Sequence, residues 1–221
     1  MQQYLELIEG LSLFSGISKA DIPKLLSLIN ASVVTYEKNQ PIFREGERVE
    51  KAGIILFGKA ELRKEDYHGN RSLLQIMPQG QMFGEALCCT EVEILPVGIY
   101  AAEKCTVLLF DCKQIIKGSL KNDFQPILLK NLLIIIAQKN LNLRAKINLL
   151  SKRTTREKIM AYLLSESKRI GEREFDIPLD RQQLADYLGV ERSAMSAEIS
   201  KLRRDGIISA NKKHFCIIKY D

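Results

Sequence analysis

Between Asp180 and Ile208, the side chains able to donate hydrogen bonds fall on one face of a helical repeat. Met195, Ile199 and Leu202 recur at spacings of four and three, the period of a buried stripe. That stripe leaves Arg192, Ser193, Ser196 and Ala197 on the other side. A guanidinium and two hydroxyls can bond to base edges or phosphates, and a methyl can meet a thymine methyl. This is the chemistry of a helix seated in the major groove of DNA. Such a helix must be aimed by a second one. Leu184, Ala185 and Leu188 supply its apolar positions, and Asp180 is placed to cap it by accepting first-turn amides. Gly189 stands where a tight turn needs positive φ, and Val190 packs beneath it. Gly206 closes the second helix, and IleIle followed by KKHFCII reads as a two-stranded wing. An ordinary helical hairpin accounts for any one of these features; their conjunction favours a winged helix-turn-helix. Arg181, Lys201, Lys212 and Lys213, with Arg203 and Arg204, are candidates for phosphate contact or for solvating the surface.

Composition is that of a globular protein, 46% hydrophobic and 27% charged over 221 residues, enough for two modest domains. Of the net charge of +6, most falls in residues 151–221, which carry 15 Lys or Arg against 11 Asp or Glu. The longest apolar stretch, LLIIIA at 132–137, is too short to span a membrane, and MQQYLELIEG lacks a signal-peptide pattern. The expectation is a cytoplasmic protein without a membrane partner. Five cysteines (88, 89, 105, 112 and 216) form no C-x-x-C pair, and the two histidines, His68 and His214, sit far from any metal-like grouping. No metal site, no Ser-His-Asp or Cys-His pattern and no enzyme activity are expected. The adjacent Cys88 and Cys89 alone invite a redox reading, against which stands their simple use as small apolar residues.

Residues up to about 118 differ in character from the rest. Short helices around Leu5–Ile8 and Ala20–Ile29 precede β-rich segments TYEKNQPIF, KAGIILFGKAELRKE, NRSLLQIM and CTVLLFD. Gly46, Gly58, Gly69 and Gly80 recur every 11 or 12 residues, a spacing suited to a small β-roll or jelly roll, with 66–70 as one hairpin tip. A long helix over about 122–150 follows. Along it Leu129, Leu133, Ile136, Asn140, Leu143, Ile147 and Leu150 alternate steps of four and three, the d and a positions of a coiled coil. Asn140 would fall at an a position and fix the register of a two-stranded coil. Packing of that stripe on the chain's own roll is the competing reading. Leu132, Ile134 and Ile135 are assigned that role.

From about Leu11 to Ile218 the chain resembles the CRP/FNR family of bacterial transcription regulators. LFSGISKADIPKLL, PIFREGE, ILFGKAEL, EDYHGNRSLLQIMPQGQMFGEA, AAEKCTVLLFD and RQQLADYLGVERSAMSAEISKLRRDGIIS carry the resemblance, in order and spacing. It implies an α+β chain with a cyclic-nucleotide-binding-like β-roll as sensory domain (1–118), a long dimerisation helix (119–150) and a winged helix-turn-helix (151–221). It further implies a homodimeric, sequence-specific regulator that reads palindromic double-stranded DNA and can meet RNA polymerase. The alternative is a cyclic-nucleotide-binding protein acting on a protein partner, which would have no use for a winged helix.

Departures from the family pattern bear on the effector. Gly84 and Glu85 match the pair that holds a cyclic nucleotide's ribose. The Arg-Ser pair that holds the phosphate is missing, and no arginine occurs between Glu91 and Lys104. A buried cyclic phosphate without a guanidinium would keep an unpaired charge, so cyclic AMP is not expected. The first 87 residues contain no cysteine, which argues against an iron–sulfur cluster of the family's type. Gly84, Glu85 and Ala86 stand where haem-binding members place Cys or His, which argues against haem. No cofactor is expected. The effector pocket is assigned to Met77, Phe83, Gly84, Glu85, Leu87, Cys88, Pro96, Val97 and Ile136, lined for a small organic molecule or a redox signal. In the reading helix Arg192 matches a family position, while Ser193 and Ala197 replace its other charged readers, which predicts a different target site.

Overall fold

The computed structural model describes residues 2–65, 71–88, 90, 94–116 and 123–219. The chain forms two compact units, residues 1–138 and 139–221.

The first unit opens with two short helices, α1 (Leu5–Glu9) and α2 (Ile22–Leu28). Eight strands follow: β1 (Ser32–Tyr36), β2 (Pro41–Phe43), β3 (Ala52–Phe57), β4 (Ala60–Glu65), β5 (Arg71–Met77), β6 (Met82–Phe83), β7 (Gly98–Ala101) and β8 (Cys105–Phe110). The short helices α3 (Glu85–Cys88) and α4 (Cys112–Ile116) interrupt and end the series. All pairings are antiparallel, in two four-stranded sheets ordered β1-β8-β3-β6 and β2-β7-β4-β5. The proposed hairpin tip at 66–70, with Gly69, lies outside the described residues. Its flanks pair as expected, Glu65 opposite Arg71.

Strands β3 and β8 are apolar without alternation because both of their faces are covered. Ile55, Cys105, Val107 and Leu109 point between the sheets and join Ile42, Ala60, Met77, Phe83 and Ile99. Ala52, Ile54, Leu56, Leu108 and Phe110 point the other way, into a cluster with α1, α2 and the long helix. Gly53 lies between the sheets, where a Cβ would stand 2.3 Å from the Phe83 ring, so the ring occupies the space a side chain would need.

The long helix α5 spans Phe124–Leu150, with Pro126 in its first turn, where the missing amide costs nothing. Its first half carries Leu128 and Leu132 into the helical cluster, with Ile135 and Ile136 partly buried beside them. Asn131, 8% exposed, donates through Nδ2 to the carbonyls of Leu13 (2.9 Å) and Ser15 (2.8 Å). Ile134, assigned to the roll from sequence, is instead 55% exposed. Two residues beyond Leu132, it has turned about 200° around the axis, away from the core.

In the second unit, helix α6 (Thr155–Ile170) was not read from the sequence. Thr154 caps it reciprocally with Glu157, and Gly171 ends it in the left-handed region. The remaining elements are β9 (Glu174–Asp176), α7 (Arg181–Leu188), α8 (Arg192–Arg204), β10 (Ile208–Asn211) and β11 (His214–Ile217). The wing is a three-stranded sheet, β10-β11-β9, and not the two-stranded one expected. The extra strand escaped notice because Glu-Phe-Asp offers one apolar side chain, Phe175, between two exposed carboxylates.

Candidate nucleic-acid interface

Local rules set the α7–turn–α8 geometry. Asp180 accepts from the Gln183 amide at 2.8 Å, and the Gln183 side chain accepts from the Asp180 amide at 2.9 Å, so α7 begins with a capping box. Gly189 ends α7 at φ 59°, ψ 50°, a left-handed conformation that a Cβ would strain. The Val190 amide bonds back to the Ala185 carbonyl at 3.1 Å and draws the turn tight. Leu184, Ala185 and Leu188 are fully buried, as are Met195 and Leu202, with Ile199 nearly so. The small Ala185 contributes no bulk to this shared core.

That burial fixes what α8 presents outward. Arg192, Ser193, Ser196 and Ala197 are all exposed, the face deduced from spacing. Glu191 precedes α8 without a side-chain cap bond, which leaves first-turn amides beside Arg192 and Ser193. Ser200 spends its hydroxyl on the Ser196 carbonyl at 3.0 Å. Lys201 is exposed and pairs with Glu198 at 3.6 Å. Arg156 of α6 reaches Asp205 at 3.0 Å and Glu198 at 3.5 Å, bracing α8 against α6.

Lys212 and Lys213 stand exposed at the turn between β10 and β11. Lys212 holds φ 50°, and Lys213 donates to the Pro178 carbonyl at 3.1 Å. Next to them, His214 faces two carboxylates of β9, Asp176 at 3.0 Å from Nδ1 and Glu174 at 2.9 Å from Nε2. Those hydrogen bonds, Glu174's first, raise its pKa. Arg181 is placed differently from the other candidate cations. It is half-buried with its guanidinium 4.8 Å from the centre of the Phe215 ring. Its Nη1 is buried with no hydrogen-bond partner among the described residues. Burial, and then the charge of Arg203, depress its pKa.

Three of the residues assigned to an effector pocket fall in two core clusters. Met77 and Phe83 lie together between the sheets, whereas Ile136 packs into the helical cluster on the opposite side of the β3–β8 sheet. Gly84 holds φ 78° at the bend into α3, and a Cβ there would come within 3.1 Å of the Lys51 carbonyl oxygen. Glu85 is buried, Val97 is half-buried and Pro96 is exposed. The side chains of Leu87 and Cys88, and all of Cys89 and His68, lie outside the described residues. No group of three or more potential metal ligands occurs among the described residues.

Along α5, Leu133, Leu143 and Ile147 are 60–65% exposed, and Leu129 and Leu150 about 40%. Asn140 is exposed with them, while Ile136 is partly buried against its own unit. No helix among the described residues is long and apolar enough to cross a membrane.

Comparisons with known proteins agree with this layout. A family model for the cyclic nucleotide-binding domain matches residues 33–118, and one for the Crp-like helix-turn-helix domain matches 157–221. The chain is 37% identical over 79 residues to the transcriptional activator protein FnrL of Cereibacter sphaeroides, a match covering 32% of each protein. It is 21% identical over 216 residues to the transcriptional activator protein FnrA of Stutzerimonas stutzeri, covering 96% of this chain and 86% of that one. Among solved structures, the c-di-GMP-responsive global regulator CLP of Xanthomonas campestris shares the fold, with a TM-score of 0.64 at 18% identity over 92% of this chain and all of the other. With a roll matched by the cyclic nucleotide-binding domain model, a long helix and a capped helix-turn-helix in family order, the chain belongs to the CRP/FNR family of DNA-binding transcription regulators.

Proposed function

We propose that the chain works as a homodimer that reads a two-fold palindrome, with its affinity set by a signal other than cyclic AMP. The observation that carries the reading is the division of α8 into a buried stripe and an exposed face of Arg192, Ser193, Ser196 and Ala197. In this reading those four side chains meet base edges. Lys201, Lys212, Lys213, Arg203 and Arg204 meet phosphates. Arg181, braced on Phe215, offers its remaining donors to the same backbone. The exposed apolar stripe of α5 supports dimerisation, since single-chain exposure of Leu133, Leu143 and Ile147 leaves apolar area for a partner to cover. Two reading helices then sit about one DNA turn apart, roughly 34 Å.

Residues 1–118 serve as the sensor, 119–150 as the dimer helix and 151–221 as the reader, in the cytoplasm, with RNA polymerase as a further partner. The effector is a small organic molecule or a redox signal in the roll. The missing arginine between Glu91 and Lys104 and the apolar character of the inter-sheet core both support this. Selection of genomic fragments by the purified protein, with and without a small-molecule extract of the source cells, tests the proposal. A palindrome enriched only with extract supports a gated regulator. One enriched equally in both refutes gating by an effector in that extract, and no enrichment with folded protein refutes the DNA role.

A further inference from the structure

Helix α7 ends without a cation of its own, since its last turn holds no basic residue. The Gly189 and Val190 amides close two of its last carbonyls, Asp186 at 3.2 Å and Ala185 at 3.1 Å. The Tyr187 carbonyl takes its hydrogen from another helix. Lys146, in the last turns of α5 and within the second unit, donates to it through Nζ. The same ammonium stands 3.2 Å from the centroid of the Tyr187 ring. Positive charge thus meets the negative end of the α7 dipole and a ring face at once. Burial lowers its pKa to about 8, and at pH 7 it remains an ammonium.

Apolar contacts converge on the same place. Leu149 is 8% exposed and joins the core built on Leu184, Leu188, Met195 and Ile199. Leu150 lies against the turn itself, its Cδ2 3.5 Å from where a Cβ on Gly189 would stand. The Tyr187 ring in turn meets Tyr162 of α6 edge-on, with centroids 5.5 Å apart. Leucine contacts hold two helices together without fixing a direction. An ammonium bonded to one carbonyl and centred on one ring does fix it.

We propose that Lys146 is a positioning residue for DNA reading, its charged end setting the angle at which α7, and α8 with it, leaves the end of α5. In this role it acts on geometry rather than on DNA itself. Leu143 and Ile147, exposed residues that flank it in sequence, pair across the two-fold axis in the dimer reading above. The angle held by Lys146 then sets the separation of the two reading helices. A single half-site is indifferent to that angle, whereas a palindrome of fixed spacing is not. The effect on the palindrome rests on the dimer reading; the hold on α7 stands on contacts within one unit.

The test titrates a palindrome selected from random duplexes, and a single half-site cut from it, at pH 7 and low salt. Lys146→Met keeps the apolar stem and removes the charge. It should bind the palindrome about tenfold more weakly and the half-site within about twofold of the wild type. Lys146→Arg should restore palindrome binding, because a guanidinium can cover the ring and donate to the carbonyl. Amide exchange over 185–190 should quicken about tenfold in Lys146→Met, with β10 and β11 unchanged. Tyr187→Phe, which keeps the ring and the carbonyl, should match the wild type. Tyr187→Leu should weaken palindrome binding in the wild type and add less than about twofold in Lys146→Met. Equal losses on palindrome and half-site overturn the proposal, since Lys146 would then stabilise the reader as a whole or meet DNA directly. Unaltered exchange and palindrome affinity in Lys146→Met overturn it too. Failure to select any palindrome counts against the dimer reading instead, and the exchange rates still decide whether Lys146 holds α7.

Discussion

Leu143→Ala tests the dimer where it is most exposed to refutation. Leu143 is 61% exposed in the single chain, and the proposed coil covers that surface. Complete burial of a leucine is worth about 1.5–3 kcal/mol, so covering three-fifths of one contributes roughly 1–2 kcal/mol. The substitution removes most of that from each chain, and the two-fold axis counts it twice, for a loss of about 2–3 kcal/mol per dimer. At about 1.4 kcal/mol per decade, the dimer dissociation constant should rise roughly 30- to 150-fold. Sedimentation velocity over a concentration series measures this directly. Because the side chain is exposed in the monomer, hydrogen exchange of the β3 and β8 core should be unaffected. A change in dissociation constant below fivefold would refute the assignment of this stripe to a partner chain. Unfolding of the monomer would refute the premise that the side chain makes no contact of its own.

Further outcomes follow from contacts within each unit. Asn131→Ala strips the donor from two carbonyls, one of them in a fully buried residue, and should destabilise the first unit by about 2–3 kcal/mol, read as faster exchange at Ile54 and Leu108. Arg192→Ala should weaken binding to a selected duplex by about 1–3 kcal/mol with relaxed choice at one base pair, whereas Lys212→Ala should weaken all duplexes alike and lower the salt slope by about one. Gly189→Ala, at φ 59°, should cost about 1–2 kcal/mol in the second unit, measured by its thermal midpoint. His214 should titrate above its ordinary 6.5 by NMR. Because the folded value is the raised one, its stabilising contribution is complete below the unfolded pKa and disappears as pH rises through the folded pKa. Glu174→Gln should bring that titration back down.

Legibility followed local chemistry. The α7–α8 turn was readable residue by residue because each of its constraints is short-ranged: a capping carboxylate, a left-handed glycine and an i, i+4, i+7 stripe. Helix α6 carried an equally local signal, the Thr154–Glu157 box, and was overlooked because a polar, mildly amphipathic run seldom stands out beside a strong motif. β9 is of another kind. Three residues with one apolar side chain become a strand only because β11 offers an edge, which is tertiary information. Residue type alone could not tell which core cluster an apolar side chain joins: Met77 lies in the inter-sheet cluster and Ile136 packs on the helical one.

Helix α5 shows how far periodicity reaches. Its sequence holds two interleaved apolar sets. Leu128, Leu132 and Ile135 step by four and three, as Leu129, Leu133 and Ile136 do one residue later. The period alone cannot say which set faces the chain's own core, because both satisfy it. Asn131 breaks the tie. A polar residue within the inward set requires partners, and the carbonyls of Leu13 and Ser15 meet its amide, which locks that face to the N-terminal segment. Asn140 lies within the other set, exposed and away from that contact. Each asparagine is therefore costly on the wrong face, and together they orient the helix more firmly than its leucines do. Exchanging Asn140 for leucine should tighten self-association while admitting higher oligomers by sedimentation; a strictly dimeric, unaltered equilibrium would show that Asn140 faces solvent and sets no register.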